Sequence, residues 1–366
     1  MTRKAPVRVL VVDDSRFMRD LLCRILTSDP EVEVVGVADN GLDAVAAAAA
    51  LDPSVITMDV NMPHADGLVA VERIMAERPT PIVMISSQTR SESAAAIRAL
   101  SLGAVDFIPK PGGSVDPGLI NLREEILRKV KMAARIRPIR NAAAAVATPR
   151  GRATVASPAP TRTASGKWTP CVVIAASTGG PGALFELIPA LPAGLQASVM
   201  IVQHMPAPYT TQLASALAAR AALMVKEVQD GERLERGGVY VMPGSRNASV
   251  TADGRIVLRA PGRVVDGCPS ADVAMTSVAR HAGRLSIGIV LTGMGRDGAE
   301  GATAIRHAGG LVLAQDEASS MVYGMPRAAA ETGAVHMIVP LSRLVDTLSA
   351  CLRDLGVARG GFVHAS

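Results

Sequence analysis

Apolar and polar positions come in blocks along this chain, with little residue-by-residue alternation. Short runs rich in Val and Ile occupy Val7–Val12, Val32–Val37, Val55–Met58, Ile82–Ile85 and Val105–Ile108. Helix-compatible segments lie between them, such as Arg16–Leu26 and the alanine-rich Gly41–Leu51. Strands that are apolar on both faces are those covered by helices on both sides. Their alternation with helices predicts an α/β fold, a doubly wound parallel sheet of (βα)5 type. The rhythm stops between Ala133 and Trp168, resumes at Cys171 and continues to about Leu355, which predicts a second doubly wound α/β unit. Within it, Gly238–Met242, Ala248–Thr251 and Ile256–Leu258, the last two split by Ala252-Asp253-Gly254, read as antiparallel strands attached to the sheet. The expected division is residues 1–132, a linker over 133–168, a second domain over 169–358 and a tail over 359–366.

Composition narrows the setting. A chain of 366 residues can build two cores, and with aromatics at 2% those cores must be aliphatic. No apolar run approaches the roughly 18 residues of a membrane span, and Met1-Thr2-Arg3-Lys4 lacks an apolar signal region. A cytoplasmic protein, not inserted in a membrane, is expected. Cys23, Cys171, Cys268 and Cys351 are scattered without zinc-ligand spacing and read as reduced thiols. The net charge of +5 would suit nucleic acid, yet much of the excess sits in the linker. There Arg135, Arg137, Arg140, Arg150, Arg152, Arg162 and Lys167 face no acidic residue. With few aromatics to stack on bases, this reads as a solvated basic tether, and no nucleic-acid partner is expected.

Three apolar runs of the second unit lead into side chains that can do chemistry. Val172–Ala176 runs into Ser177, Val199–Gln203 into His204, and Ile287–Leu291 into a Gly-rich turn carrying Asp297. Ligands of parallel α/β folds bind beyond the carboxyl ends of strands, so the three can meet at one site. A hydroxyl, an imidazole and a carboxylate there suggest a nucleophile, its base and the base's orienter, the set of a serine hydrolase. Other readings stand beside this one. The glycines of Ser177-Thr-Gly-Gly-Pro181 can cradle phosphate on backbone N–H groups, although neither Gly-Lys-Ser/Thr nor a full Gly-x-Gly-x-x-Gly is present. His204 alone fits a hydrogen-bonded structural residue, and Asp297 alone fits a helix N-cap for Gly298–His307. Cys268 lacks a base at useful spacing and is expected to be a small buried residue. A second class, a phosphorylation-controlled protein holding nucleotide or nucleic acid on these loops, lacks both a helix-turn-helix pattern and a phosphate-binding lysine.

In the first unit, Asp13 and Asp14 follow the first strand and Asp59 ends the third. Neighbouring strand ends would bring the three carboxylates together, which is costly unless a cation neutralises them. Hard oxygen ligands suit Mg2+, which keeps open positions for water and phosphate. Ser86 and Lys110, at the ends of the fourth and fifth strands, can meet a phosphoryl group.

Val11-Val-Asp-Asp-Ser15, Met58-Asp-Val-Asn-Met-Pro63 with Asp66-Gly67, Ile85-Ser-Ser87 and Ile108-Pro-Lys-Pro111 together resemble response-regulator receiver domains, over Val7 to about Met132. The resemblance implies that Asp59 accepts a phosphoryl group from a histidine kinase of the chemotaxis type. It further implies Asp14 and the Asn61 carbonyl as direct Mg2+ ligands, Asp13 as a ligand through water, and Ser86 and Lys110 as phosphoryl sensors. Phe107 is either a switch aromatic or a core ring. Ala176-Ser-Thr-Gly-Gly-Pro181, Gln203-His-Met-Pro206, Gly267-Cys-Pro-Ser-Ala-Asp272, Leu291-Thr-Gly-Met-Gly-Arg-Asp-Gly298, and Ala314-Gln-Asp316 with Tyr323-Gly-Met-Pro326 resemble the chemotaxis protein-glutamate methylesterases of the CheB type, from Cys171 to about Leu355. Ser177, His204 and Asp297 are then nucleophile, base and orienting carboxylate, with Thr178 and the Gly293–Met294 backbone as oxyanion or substrate contacts. The implied activity is removal of glutamyl methyl esters from methyl-accepting chemoreceptors, with deamidation of receptor glutamines beside it. The esterase chemistry needs no cofactor, and the unphosphorylated receiver is expected to dock over Ser177. Ala175 departs from the family, which commonly has Gly there.

Overall fold

A computed structural model of the chain describes residues 5–62, 67–87, 89–110, 118–136, 169–261 and 268–360. Pro63, Asp66, Pro111, nearly all of the predicted linker and the last six residues lie outside them.

The first unit holds β1 (Val7–Val12), α1 (Arg16–Thr27), β2 (Val32–Ala38), α2 (Gly41–Leu51), β3 (Val55–Asp59), α3 (Gly67–Glu77), β4 (Ile82–Ser86), α4 (Arg90–Leu102), β5 (Asp106–Pro109) and α5 (Gly118–Ala133). The five strands form one parallel sheet in the order β2-β1-β3-β4-β5. The apolar runs become strands because both faces are covered: every residue of β3 and β4 is buried. Polar residues fix where helices start. Ser15, Asn40 and Thr89 accept the N–H groups of Met18, Asp43 and Glu92 at the starts of α1, α2 and α4, each satisfying an otherwise orphan donor.

The second unit runs β6 (Cys171–Ala176), α6 (Gly180–Ala190), β7 (Ser198–Gln203), α7 (Ala207–Ala218), β8 (Met224–Glu227), β9 (Gly238–Val241), β10 (Asn247–Val250), β11 (Ile256–Arg259), α8 (Ala271–Ala282), β12 (Ser286–Val290), α9 (Ala299–His307), β13 (Leu311–Gln315), α10 (Met325–Glu331), β14 (Met337–Val339) and α11 (Leu344–Gly360). Its seven-stranded parallel sheet has the order β14-β13-β12-β6-β7-β9-β8. β6 sits between β12 and β7, where the winding reverses, and ligand crevices of such sheets open there.

One expectation is corrected. Gly238–Val241 is a parallel strand of the main sheet, paired with β7 and β8. Among the named strands of the described residues only β10 and β11 pair antiparallel, and they form a separate hairpin. Burial explains the difference. β9 is buried at all four positions, as a strand covered on both faces must be. β10 alternates between half-buried and buried, presenting one face to α8. Among the described residues no helix is long and apolar enough to cross a membrane.

Candidate functional site

Ser177 and His204 leave adjacent strand ends. Ala176 pairs with Gln203 in the β6–β7 register, so the next residue of each strand is the serine or the histidine. The His204 N–H donates to Ala176 O at 3.0 Å, and the Ser177 N–H to Thr292 O at 3.1 Å. Gln203, buried between them, donates from Nε2 to Ser177 O at 2.9 Å and to His204 O at 3.2 Å. The loop from Thr292 to Gly298 is bound in turn. Thr292 Oγ1 donates to Thr178 O at 3.0 Å, and its N–H donates to Gln315 Oε1 at 2.8 Å.

That loop carries Asp297 to His204, whose Nε2 lies 2.7 Å from Asp297 Oδ2. Asp297 is 6% exposed, and three further groups satisfy its carboxylate. Oδ1 accepts from Ser270 Oγ at 3.1 Å and the Asp272 N–H at 2.9 Å, and Oδ2 from the Ala271 N–H at 2.6 Å. Burial pushes this carboxyl upward, but His204 and the backbone N–H groups outweigh it and hold it below the ordinary carboxylate range. An ionised Asp297 holding Nε2 leaves Nδ1 as the histidine nitrogen free to take a proton. Among the described residues no hydrogen bond joins Ser177 Oγ to His204. The N–H groups of Thr178, Gly179 and Met294 likewise have no acceptor among the described residues.

Asp297 is not the cap of α9. Gly298 holds that position without a side-chain bond, and the carboxylate of Asp272 serves the helix start, accepting from Gly298 N–H at 2.9 Å and Gly301 N–H at 2.7 Å. Burial, with repulsion from Asp297, pushes the Asp272 carboxyl up to about 6. Cys268 is half-buried where a buried residue was expected, its thiol 3.8 Å from Asn247 Oδ1.

At the carboxyl end of the first sheet, oxygens of Asp13, Asp14 and Asp59 lie within 4.8 Å of one another. Lys110 Nζ is 2.8 Å from Asp59 Oδ2 and 3.2 Å from Asp13 Oδ2. Burial raises the Asp59 carboxyl to about 6, against Lys110 and with a contribution from Asp13. Among the described residues Asp59 Oδ1 is buried with no hydrogen-bond partner, so one lone cation does not satisfy the cluster. Three carboxylates with an unpartnered buried oxygen fit a hard divalent ion. Asn61 is exposed beside them, while Ser86 Oγ donates to Ser87 O at 3.2 Å.

The two units meet at the serine. Phe107 stacks on Tyr209 of α7 with ring centroids 4.0 Å apart. Tyr209 OH donates to Ser87 O at 3.0 Å and to Ser86 O at 3.3 Å, and α4 packs on α6 and α7. Thr178 Oγ1 donates to Asp106 Oδ2 at 2.8 Å, and Arg128 reaches Met294 Sδ at 3.4 Å. Phe107 is thus both buried and an inter-unit contact. Sequence reasoning gave no role to Asp106, Tyr209, Gln203, Ser270 or Asp272. Gln203, Ser270 and Asp272 lie within Gln203-His-Met-Pro206 and Gly267-Cys-Pro-Ser-Ala-Asp272, the signal that points to them.

Residues 172–348 match the model of the CheB methylesterase family, and residues 9–116 that of the response regulator receiver domain. A protein-glutamate methylesterase/protein-glutamine glutaminase of Symbiobacterium thermophilum is 44% identical over 354 residues, 95% of this chain and 98% of the relative. One of the same name from Pyrococcus abyssi is 41% identical over 368 residues, 97% of this chain and 95% of the relative. The crystal structure of the Thermotoga maritima CheB methylesterase catalytic domain, 34% identical, covers 51% of this chain and 99% of its own, with a TM-score of 0.49. With identity of this level running through receiver and esterase units alike, the chain belongs to the CheB-type protein-glutamate methylesterase/protein-glutamine glutaminase family.

Proposed function

We propose that this protein hydrolyses the γ-methyl esters of glutamates on chemoreceptors, releasing methanol, and deamidates receptor glutamines at the same site, under control of a phosphorylated receiver. The observation that carries the reading is the 2.7 Å contact of His204 with a buried, four-times-bonded Asp297, at the strand end next to Ser177. The expected division is a receiver over residues 1–132, a linker over 133–168, an esterase domain over 169–358 and a tail over 359–366. The setting is cytoplasmic.

Ser177 Oγ attacks the ester carbonyl carbon while His204 Nδ1 takes its proton. The carbonyl π electrons move to oxygen, and the unpaired N–H groups of Thr178 and Met294 are suitable donors to that oxyanion. Collapse breaks the bond to methoxide, which leaves as methanol with the proton from His204, and an acyl-serine remains. Water then adds with His204 again as base, and the glutamate is released. With a glutamine the same steps release ammonia. Asp297 holds the ring in one tautomer and stabilises its protonated form.

In the receiver, Asp59 is the phosphoacceptor and a histidine kinase the donor. Mg2+ held by Asp13, Asp14, Asp59 and the Asn61 carbonyl would neutralise charge on the transferring phosphoryl group. Lys110 and Ser86 bind the phosphoryl oxygens, a role that the 2.8 Å contact of Lys110 with Asp59 supports for the lysine.

A fluorophosphonate probe should label Ser177 of the wild-type protein, and Ser177→Ala should lose both labelling and nearly all methanol release from a methylated receptor. Methanol release by that variant within tenfold of wild type would reject the reading, since loss of a triad serine costs orders of magnitude.

A further inference from the structure

We propose that Asp272 is a positioning residue of the esterase: it fixes the loop that carries Asp297, and so the imidazole of His204. This rests on the reading that Asp297 orients His204. The start of α8 and the start of α9 are bound to each other in both directions. From α8, the Ala271 and Asp272 N–H groups, with Ser270 Oγ, hold the carboxylate of Asp297 just before α9. From the same turn of α8, the Asp272 carboxylate reaches back and accepts the N–H groups of Gly298 and Gly301 with one oxygen, at 2.9 and 2.7 Å. Asp297 is therefore held by its side chain on one side and, through the residue next to it, by its backbone on the other.

Geometry makes this more than an ordinary helix cap. Gly298 has φ +95°, a conformation that glycine adopts without strain, so the chain reverses directly after Asp297. The Gly298 N–H points into the turn with Asp272 Oδ1 as its acceptor. Helices α8 and α9 also approach closely: a Cβ on Gly301 would lie 3.2 Å from Asp272 Cα. With so little room between them, a shift of the α9 start carries Asp297 with it. A carboxylate moved by about 1 Å no longer holds Nε2, and misplacement of that size can cost about 100-fold in rate.

The full-length protein is used for the test. Fluorophosphonate labelling of Ser177 reads activation of the serine without receptor binding, and methanol release from methylated receptor gives kcat and KM. Asp272→Ala is expected to slow labelling by about 10–100-fold and to lower kcat with little change in KM. Asp272→Asn is expected to return both to within a few-fold of wild type, because one amide oxygen can still accept both N–H groups. Should Asp272→Ala fail to fold, Asp272→Ser is measured instead, too short to bridge both donors. Wild-type rates in the alanine or serine variant, or no rescue in a folded asparagine variant, would overturn the positioning role while leaving Ser177 as nucleophile. A wild-type protein that does not label at Ser177 would instead remove the esterase reading, and this proposal with it.

Discussion

Thr178 Oγ1 donates a hydrogen bond to Asp106 Oδ2 at 2.8 Å, tying the residue beside Ser177 to the receiver. The acceptor is itself fixed: Asp106 Oδ1 takes the Phe107 N–H at 2.7 Å and Lys129 Nζ at 3.2 Å. Thr178 and Asp106 are both buried, so the bond forms away from water and its loss leaves a polar group to be resolvated. Next to it, Phe107 stacks on Tyr209, whose hydroxyl bonds the end of the strand that carries Ser86. Ser86, a predicted phosphoryl sensor, therefore also lies in the contact, and Lys110 directly follows the strand that carries Asp106 and Phe107.

Asp106→Ala should loosen docking. A hydrogen bond to a charged group contributes about 1.5–3 kcal/mol, so basal methanol release by the unphosphorylated variant should rise roughly tenfold where docking limits access. The variant should still be phosphorylated at Asp59. Basal activity no higher than that of the parent would show that Thr178 is not restrained by this contact.

Removing residues 1–168 tests the cover as a whole. The shortened enzyme should act on methylated receptor faster than the unphosphorylated full chain at equal concentration, and a small phosphodonor should no longer change its rate. If it is folded yet no faster, the receiver activates by contact, and occlusion has to be abandoned.

What could be read from the chain followed from local physics. Both sheets were visible because strands covered on two faces must be continuous apolar runs, and Ser177, His204, Asp13 and Asp59 were visible because they directly follow or end such runs. The direction of Gly238–Val241 was not visible, since a four-residue run has the same composition whether its neighbour is parallel or antiparallel. Asp272 was hidden for a different reason. Its carboxylate serves backbone N–H groups 26 and 29 positions away, and backbone donors leave no mark in a sequence. Asp106 and Tyr209 were hidden because their partners belong to the other unit, and no periodicity reports such a contact.

Gly293 allows close approach of the Thr292–Gly298 loop to the serine. A Cβ there would lie 2.8 Å from Ser177 Cβ and 3.0 Å from Ser177 N, and would also meet Met325 Sδ. Backbone at that distance cannot yield cheaply, and overpacking of this kind costs about 1–3 kcal/mol. Gly293→Ala should displace Ser177 and reduce fluorophosphonate labelling at least tenfold. Gly182→Ala, whose added methyl meets nothing within 4 Å, is the matched control and should label normally. Equal labelling of the two variants would mean that the serine has room the structure does not give it.

Asp59 makes the receiver's stability depend on pH in a direction opposite to that of an ordinary salt-bridged aspartate. Burial lifts its carboxyl from 3.8 to about 6 even with Lys110 alongside. Between about pH 4 and 6 the folded chain therefore holds a proton that the unfolded chain has released, and unfolding becomes easier as pH rises through that window. Below it, both states are protonated and the site costs nothing. Above it, the buried charge persists and the full cost remains, on the order of 3 kcal/mol at 1.36 kcal/mol per pKa unit. Asp59→Asn, which stays neutral, should match the wild type near pH 3.5 and be more stable at pH 7 in the presence of a chelator. Millimolar Mg2+ should narrow the gap at pH 7 by stabilising the wild type, because it binds the ionised cluster of the folded state. Thermal melts across pH 3.5–8, with and without Mg2+, give the answer. A wild type at least as stable as Asp59→Asn at pH 7 without metal would mean that Lys110 fully compensates the buried charge, and the acidic cluster would then need no divalent ion to exist.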